Sequence, residues 1–177
     1  MAQTPDPASE TDMMNALAGI APNAPLAAVR AARPDVAQYT QSSDRALLEP
    51  DDPGGVSWEE REMIALRVAV LTGSTPLVTY HRERLRALGA NAATLAAVEQ
   101  SGNNGNGGGA LSPRIVAILR HTDLLARTPG DATPAHLAAL QDAGLTPRDI
   151  VTISQLIALM SYEARVLTGL RLLAEDK

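Results

Sequence analysis

The chain contains no cysteine and no phenylalanine, and only one tryptophan and three tyrosines among 177 residues. The missing cysteine removes disulfides, thiolate metal sites and thiol nucleophiles together. Any reaction run by this sequence must therefore proceed without a protein thiol. The shortage of aromatics leaves a core of Leu, Ala, Val, Ile and Met, of which Leu and Ala are strong helix formers. Positive charge is also short: 15 Lys and Arg stand against 20 Asp and Glu, for a net charge of −5. That balance disfavours non-specific nucleic-acid binding. The clusters Arg82/Arg84/Arg86 and Arg114/Arg120 are interleaved with apolar residues and read as solvated helix faces. The apolar runs read as too short to span a membrane, and the first residues, MAQTPDPASETD, lack a basic-then-apolar signal pattern. The expectation is a cytoplasmic protein with neither nucleic acid nor membrane as a partner.

What is present is helical punctuation. Residues 1–11 are rich in Pro, Ser, Asp and Thr and read as a flexible tail. A short helix is expected near Asp12–Gly19. A longer one is expected from Leu26 to Leu48, broken at Arg33-Pro34 because proline lacks the amide and disfavours helix at the residue before it. Ser57 and Glu60 form a capping-box pattern that opens a helix running to Leu71–Thr72, with Gly73 as its stop. Thr75-Pro76 opens the next, which ends at Leu88–Gly89, and a short helix covers Ala92–Gln100. Ser101 to Gly109, SGNNGNGGG, is a low-complexity loop. Beyond it, Ser112-Pro113, Thr133-Pro134 and Thr146-Pro147 open helices at 113–127, 134–143 and 147–173. The last is apolar over most of its girth, as a central or interfacial helix would be. No segment alternates like a strand. The expected fold is all-α, with residues 12–177 forming a single domain.

Two helices carry the candidate chemistry. Glu62, Leu66, Ala69 and Gly73 recur at helical spacing, as do Leu77, His81, Leu85 and Leu88. A tight turn makes these helices antiparallel neighbours. Helical rise puts Glu62 ~15 Å and His81 ~9 Å from the turn, so the two need not touch directly, and a water or the hydroxyl of Thr72, Ser74 or Tyr80 could bridge them. An acid in an apolar site resists ionisation, and an imidazole exchanges protons near neutral pH, which together suit general acid–base work. The same spacing also fits a core histidine with a satisfied hydrogen bond beside a glutamate near solvent. His121 and His136 are separated and polar-flanked and are expected on the surface. Trp58 and Tyr162 read as packing anchors. No HxH or HExxH spacing suggests a metal, and the Gly-rich loop lacks the Lys-Ser/Thr of a phosphate loop. No cofactor is expected.

The segment EREMIALRVAVLTGSTPLVTYH, residues 60–81, resembles the alkylhydroperoxidase D and carboxymuconolactone decarboxylase superfamily. That family's motif is a Glu, a Cys-x-x-Cys pair beginning twelve residues later, and a His four residues after the second Cys. Glu62 and His81 match the Glu and the His, while Ser74 and Leu77 stand at the two Cys positions. The decarboxylase branch also lacks the Cys pair. The resemblance covers about residues 25–175, with Ala164-Arg165 where the family usually closes on Asn-Arg. It implies an all-α helical core and a homo-oligomer, usually a trimer or hexamer. It also implies that Glu62 and His81 mark the ancestral active site. Thiol peroxidase activity is not expected. The first functional reading is a cofactor-free acid–base enzyme acting on a small unsaturated acid or lactone. In it His81 donates or accepts the proton, Glu62 tunes it, Arg67 binds a carboxylate, and Ser74 and Tyr80 contact substrate. The second is a redox-inactive oligomer that binds a small ligand or a partner protein.

Overall fold

The computed structural model describes residues 12–101 and 109–175. The proposed tail and most of the Gly/Asn-rich loop lie outside the described residues. Among the described residues there are nine α-helices and no strand: α1 (Met13–Leu17), α2 (Pro25–Ala31), α3 (Pro34–Leu48), α4 (Trp58–Leu71), α5 (Thr75–Ala87), α6 (Ala92–Gln100), α7 (Pro113–Arg127), α8 (Pro134–Asp142) and α9 (Pro147–Glu175). A 3-10 turn, Pro129–Asp131, precedes α8 and was not anticipated.

Local chemistry sets the boundaries. Ser57 accepts from the Glu60 amide at 3.1 Å, and the Glu60 carboxylate accepts from the Ser57 amide at 2.9 Å. This reciprocal cap satisfies two of the amides that a helix start leaves open. At the other end of α4, Gly73 adopts φ +68°, a left-handed conformation that a side chain would strain. Its amide reaches the Val70 carbonyl and the Ser74 amide reaches that of Ala69, closing a Schellman motif. The next cap is Ser74 rather than the expected Thr75, and it makes no side-chain cap bond.

Helix α4 is the centre. From Glu60 through Ala69 every residue is buried, and the helix packs against α5, α7 and α9, with α6 and α3 beside it. One apolar core joins Ile64, Leu66 and Val68 of α4 to Ile118 and Leu119 of α7 and to Ile153, Leu156 and Ile157 of α9. It therefore draws on both sides of residues 102–108. A second cluster joins Met14, Ile20 and Ala27 to Leu77, Leu167 and Leu170. Burying each such Leu or Ile is worth ~2 kcal/mol.

Charged residues of the recognised segment also hold this frame. Arg61, 4% exposed, donates to the carbonyls of Leu47, Pro53 and Val56 and so ties the loop before α4 to the end of α3. Arg114 donates to Glu60 and to the carbonyls of Gly55 and Gly144. It is thus a clamp between segments rather than part of a solvated face.

Three more expectations change. By length and composition the 29-residue α9 does reach what a membrane crossing requires. Here it packs against α1, α3, α4, α7 and α8, which accounts for its many apolar positions. Trp58 is 45% exposed, with its indole donating to the Pro50 carbonyl, and Tyr162 is 38% exposed, with its hydroxyl 3.0 Å from that of Thr40. Each sits at the rim of a contact, where the polar end of the ring stays wet. Leu88, expected on the inner stripe, is exposed because the helix ends there, and Gly89 turns the chain away.

Candidate functional site

Glu62 lies one turn into α4, on the face turned toward α5, and is 1% exposed. His81 lies in the middle of α5 between Leu77 and Leu85 and is 0% exposed. The structure brings the two side chains into direct contact. His81 Nδ1 lies 2.9 Å from Glu62 Oε2, and with the carboxylate as acceptor it is the Nδ1–H that donates. The bridging hydroxyl or water expected from helical rise is not needed, because the two extended side chains span the axial offset. Thr72 instead donates to the Val68 carbonyl of its own helix.

The other oxygen of Glu62 accepts from Arg84 Nε at 2.5 Å. Arg84, one turn beyond His81, also pairs through Nη2 with Glu49 and donates to the Tyr80 hydroxyl at 3.4 Å. Burial opposes its charge, but Glu62, joined by Glu49 and Tyr80, outweighs it and holds the pKa above the ordinary arginine value. Tyr80 packs edge-on to the His81 ring, with centroids 5.0 Å apart, and Arg84 sits over its face. Burial raises the Tyr80 hydroxyl above its usual pKa, so it remains a neutral donor. Glu62, His81, Arg84 and Tyr80 form one connected group.

Two further acids reach this region from other helices. Asp44 of α3 is buried, and its Oδ1 has no partner. Burial pushes its pKa up to about 6, against the pull of His81 and Arg84. Glu163 of α9 is 1% exposed, with Oε1 unpartnered, and burial, reinforced by Asp44, pushes it up to about 9. It is therefore a neutral acid at pH 7. The Thr40–Tyr162 hydroxyl contact fixes α3 against α9 within one turn of both residues. His81 Nε2 is likewise buried and unpartnered. Sequence reasoning missed Asp44, Glu163 and Arg84. A signal existed: Thr40, Asp44 and Leu48 form a buried stripe on α3, and Met160, Glu163, Leu167 and Leu170 one on α9. In the sequence Arg84 reads as a solvated cation because its small cluster is interleaved with apolar residues, and its neighbours Arg82 and Arg86 do pair near the surface with Glu99 and Glu83.

An open cleft of about 570 Å³ meets this group from one side, lined by Leu48, Glu49, Trp58, Glu62, Arg84 and Leu88 among others. Glu62 and Arg84 reach it, whereas His81 stands behind them and does not line it. The remaining expected site residues lie elsewhere. Arg67 is turned to α7, where Nε and Nη2 make a two-pronged pair with Asp123 at 2.6 and 2.7 Å and Nη1 donates to the Glu99 carbonyl. Ser74 sits at the buried start of α5, and Leu77, at the second Cys position, is 1% exposed within the second apolar cluster. His121, expected on the surface, is 5% exposed because it falls on the inner stripe of α7 with Ile118; His136 is exposed as expected. Among the described residues no group of three or more His, Asp or Glu is placed to hold a metal ion.

Residues 34–120 match the sequence profile described as the carboxymuconolactone decarboxylase family, a stretch that contains both Glu62 and His81. Over that stretch the chain is similar to the carboxymuconolactone decarboxylase family. Solved structures show the same fold. One is an uncharacterized peroxidase-related protein from Ralstonia eutropha JMP134, described as an alkylhydroperoxidase AhpD core. It is 22% identical, with a TM-score of 0.70 over 95% of this chain and 88% of that one. Another is an uncharacterized peroxidase-related protein from Silicibacter sp. TM1040, 18% identical, with a TM-score of 0.68 over 76% of this chain and 68% of the other. No curated protein matches by sequence. Within the superfamily motif, this chain keeps the carboxylate and the imidazole in contact and fills both thiol positions with residues that have no thiol chemistry.

Proposed function

We propose that this protein carries out cofactor-free acid–base chemistry on a small unsaturated acid or lactone. The observation that carries this reading is the placement of Glu62. Its carboxylate is bonded to a histidine on one oxygen and an arginine on the other, and it borders a cleft of about 570 Å³. The geometry favours a division of labour opposite to the one expected from spacing. Glu62 is the group that meets substrate, and His81 is a positioning residue that orients the carboxylate and exchanges protons with it from behind. Arg84 supplies positive charge at the same wall. Its Glu49 partner is 52% exposed and held by a surface contact, so a substrate carboxylate can take that place. Loss of carbon dioxide from such a substrate leaves the bonding pair on carbon as an enolate. The Arg84 guanidinium stabilises that charge, and a proton delivered through Glu62 quenches it.

A second reading, the redox-inactive binding protein, draws support from the complete burial of His81 and the double engagement of Arg84. The two readings separate on turnover. Purified protein incubated with a panel of small unsaturated acids and lactones should consume at least one of them, with kcat lost in Glu62→Gln. Binding without turnover would sink the enzyme and leave the binding protein. Self-association belongs to the same proposal: Tyr39, Val29, Leu172 and Leu173, each more than half exposed, support an apolar contact between copies. Light scattering on the purified chain should report a trimer or hexamer, and a monomer at micromolar concentration would refute it.

A further inference from the structure

A second cavity, of about 320 Å³, lies between α7 and α8 and shares no lining residue with the Glu62 cleft. Ala117, Leu124, Ala139 and Leu140 supply apolar walls, and His121 and His136 are its imidazoles. His121 is the unusual member. It is 5% exposed, and neither ring nitrogen has a hydrogen-bond partner. Buried polar groups in folded proteins are almost always paired, and leaving one unmade carries a desolvation penalty. A buried ring with two unpaired nitrogens beside a cavity has hydrogen-bonding capacity to offer a ligand there.

The chemistry of that ligand follows from the walls. Burial, and then the neighbouring His136, lower the His121 pKa, so near pH 7 it is a neutral imidazole offering one N–H donor and one lone pair. It does not supply a counter-charge for an anion. Arg120 also borders the cavity, but it lies on the exposed side of α7 and already has an interaction partner. A metal ion is poorly served. His136 spends Nδ1 accepting from the Thr133 amide at 3.1 Å, and no third ligand stands close among the described residues. Size sets the last limit: a cavity of about 150 Å³ accommodates benzene, so this one takes a single substituted ring.

We propose that the α7–α8 cavity is a binding site for a small neutral aromatic alcohol, seated on the apolar walls with its hydroxyl hydrogen-bonded to His121. It is a second small-molecule site, independent of any chemistry at Glu62.

The test uses the full chain with its histidines labelled with nitrogen-15, titrated with phenol, toluene and benzoate. Phenol should shift the His121 ring resonances saturably and bind at least tenfold more tightly than toluene. Ala139→Trp, at an exposed α8 position, should fill the cavity and abolish the shift without disturbing the core. His121→Phe should bring phenol down to the toluene affinity. If His121→Phe fails to fold, Ala139→Trp together with the phenol-to-toluene ratio still decides the matter. Equal affinity for phenol and toluene, tighter binding of benzoate, a stoichiometric His121 response to zinc, or phenol shifts that persist in Ala139→Trp would each overturn the proposal. So would the absence of any phenol response at millimolar concentration.

Discussion

Glu62 and His81 form a hydrogen bond at 2.9 Å between two side chains that are each at most 1% exposed, yet only the glutamate lines the neighbouring cleft. Removing one partner of such a pair leaves the other buried without compensation, a loss of about 3–5 kcal/mol. His81→Ala adds a cavity to that loss and should unfold at markedly lower urea. His81→Gln, which keeps a donor near Glu62, should recover part of the stability. If His81 positions Glu62, the Gln variant retains measurable turnover with an altered pH profile. If His81 itself meets substrate, the Gln variant is as inactive as the Ala variant.

Arg84 bridges Glu62 and Glu49, with its side chain 28% exposed and that of Glu49 52% exposed. Glu49→Gln removes an exposed partner and should change stability by less than about 1 kcal/mol. If a substrate carboxylate takes the Glu49 place on Arg84, this variant lowers KM by removing the competitor. Arg84→Met should raise KM and lower kcat together. An unchanged KM in both variants would detach Arg84 from substrate binding.

Glu163 is held protonated up to about pH 9, from an ordinary value of 4.5. The folded state therefore binds this proton more tightly than the unfolded chain does. Its contribution to stability is complete below about pH 4.5 and is lost as pH rises toward 9, at up to about 1.4 kcal/mol per pH unit. Glu163→Gln is neutral at every pH. Its urea midpoint relative to wild type should be highest at pH 8 and should shrink toward pH 5. Asp44, raised to about 6, adds a slope of the same sign at lower pH, so the variant-minus-wild-type difference is the quantity to follow. A difference independent of pH would mean that Glu163 is ionised in the fold.

Ser74 and Leu77 occupy the positions where the superfamily's peroxidases carry cysteine, and the chain has no cysteine anywhere. A serine hydroxyl at neutral pH does not attack a peroxide oxygen as a thiolate does, and no sulfenic acid can form or be resolved. Hydroperoxide loss with a dithiol reductant should equal the protein-free rate. Restoring both thiols as Ser74→Cys/Leu77→Cys tests whether the frame is still competent. Leu77 is 1% exposed in an apolar cluster, so its truncation should lower stability by ~2–3 kcal/mol.

The helices were legible because their signals are local. Ser57 and Glu60, Gly73, Ser112-Pro113 and Thr146-Pro147 act through backbone amides a few residues away, and that chemistry is the same whatever packs later. The absence of thiols was settled by residue type, and a 3.6-residue period put Glu62 and His81 on apolar stripes, while only the packing showed that both are buried. What surrounds that pair was not. Asp44, Glu163 and Arg84 come from three helices and come within electrostatic reach of one another because α3 and α9 pack together and against α4, which also carries α5. The same packing buries His121 and leaves Trp58 and Leu88 half-exposed. Which acid faces the cleft and which imidazole is sealed behind it depends on distances between segments far apart in the chain. Those distances are set by how side chains fill the space between helices, a many-body fit that no local period encodes.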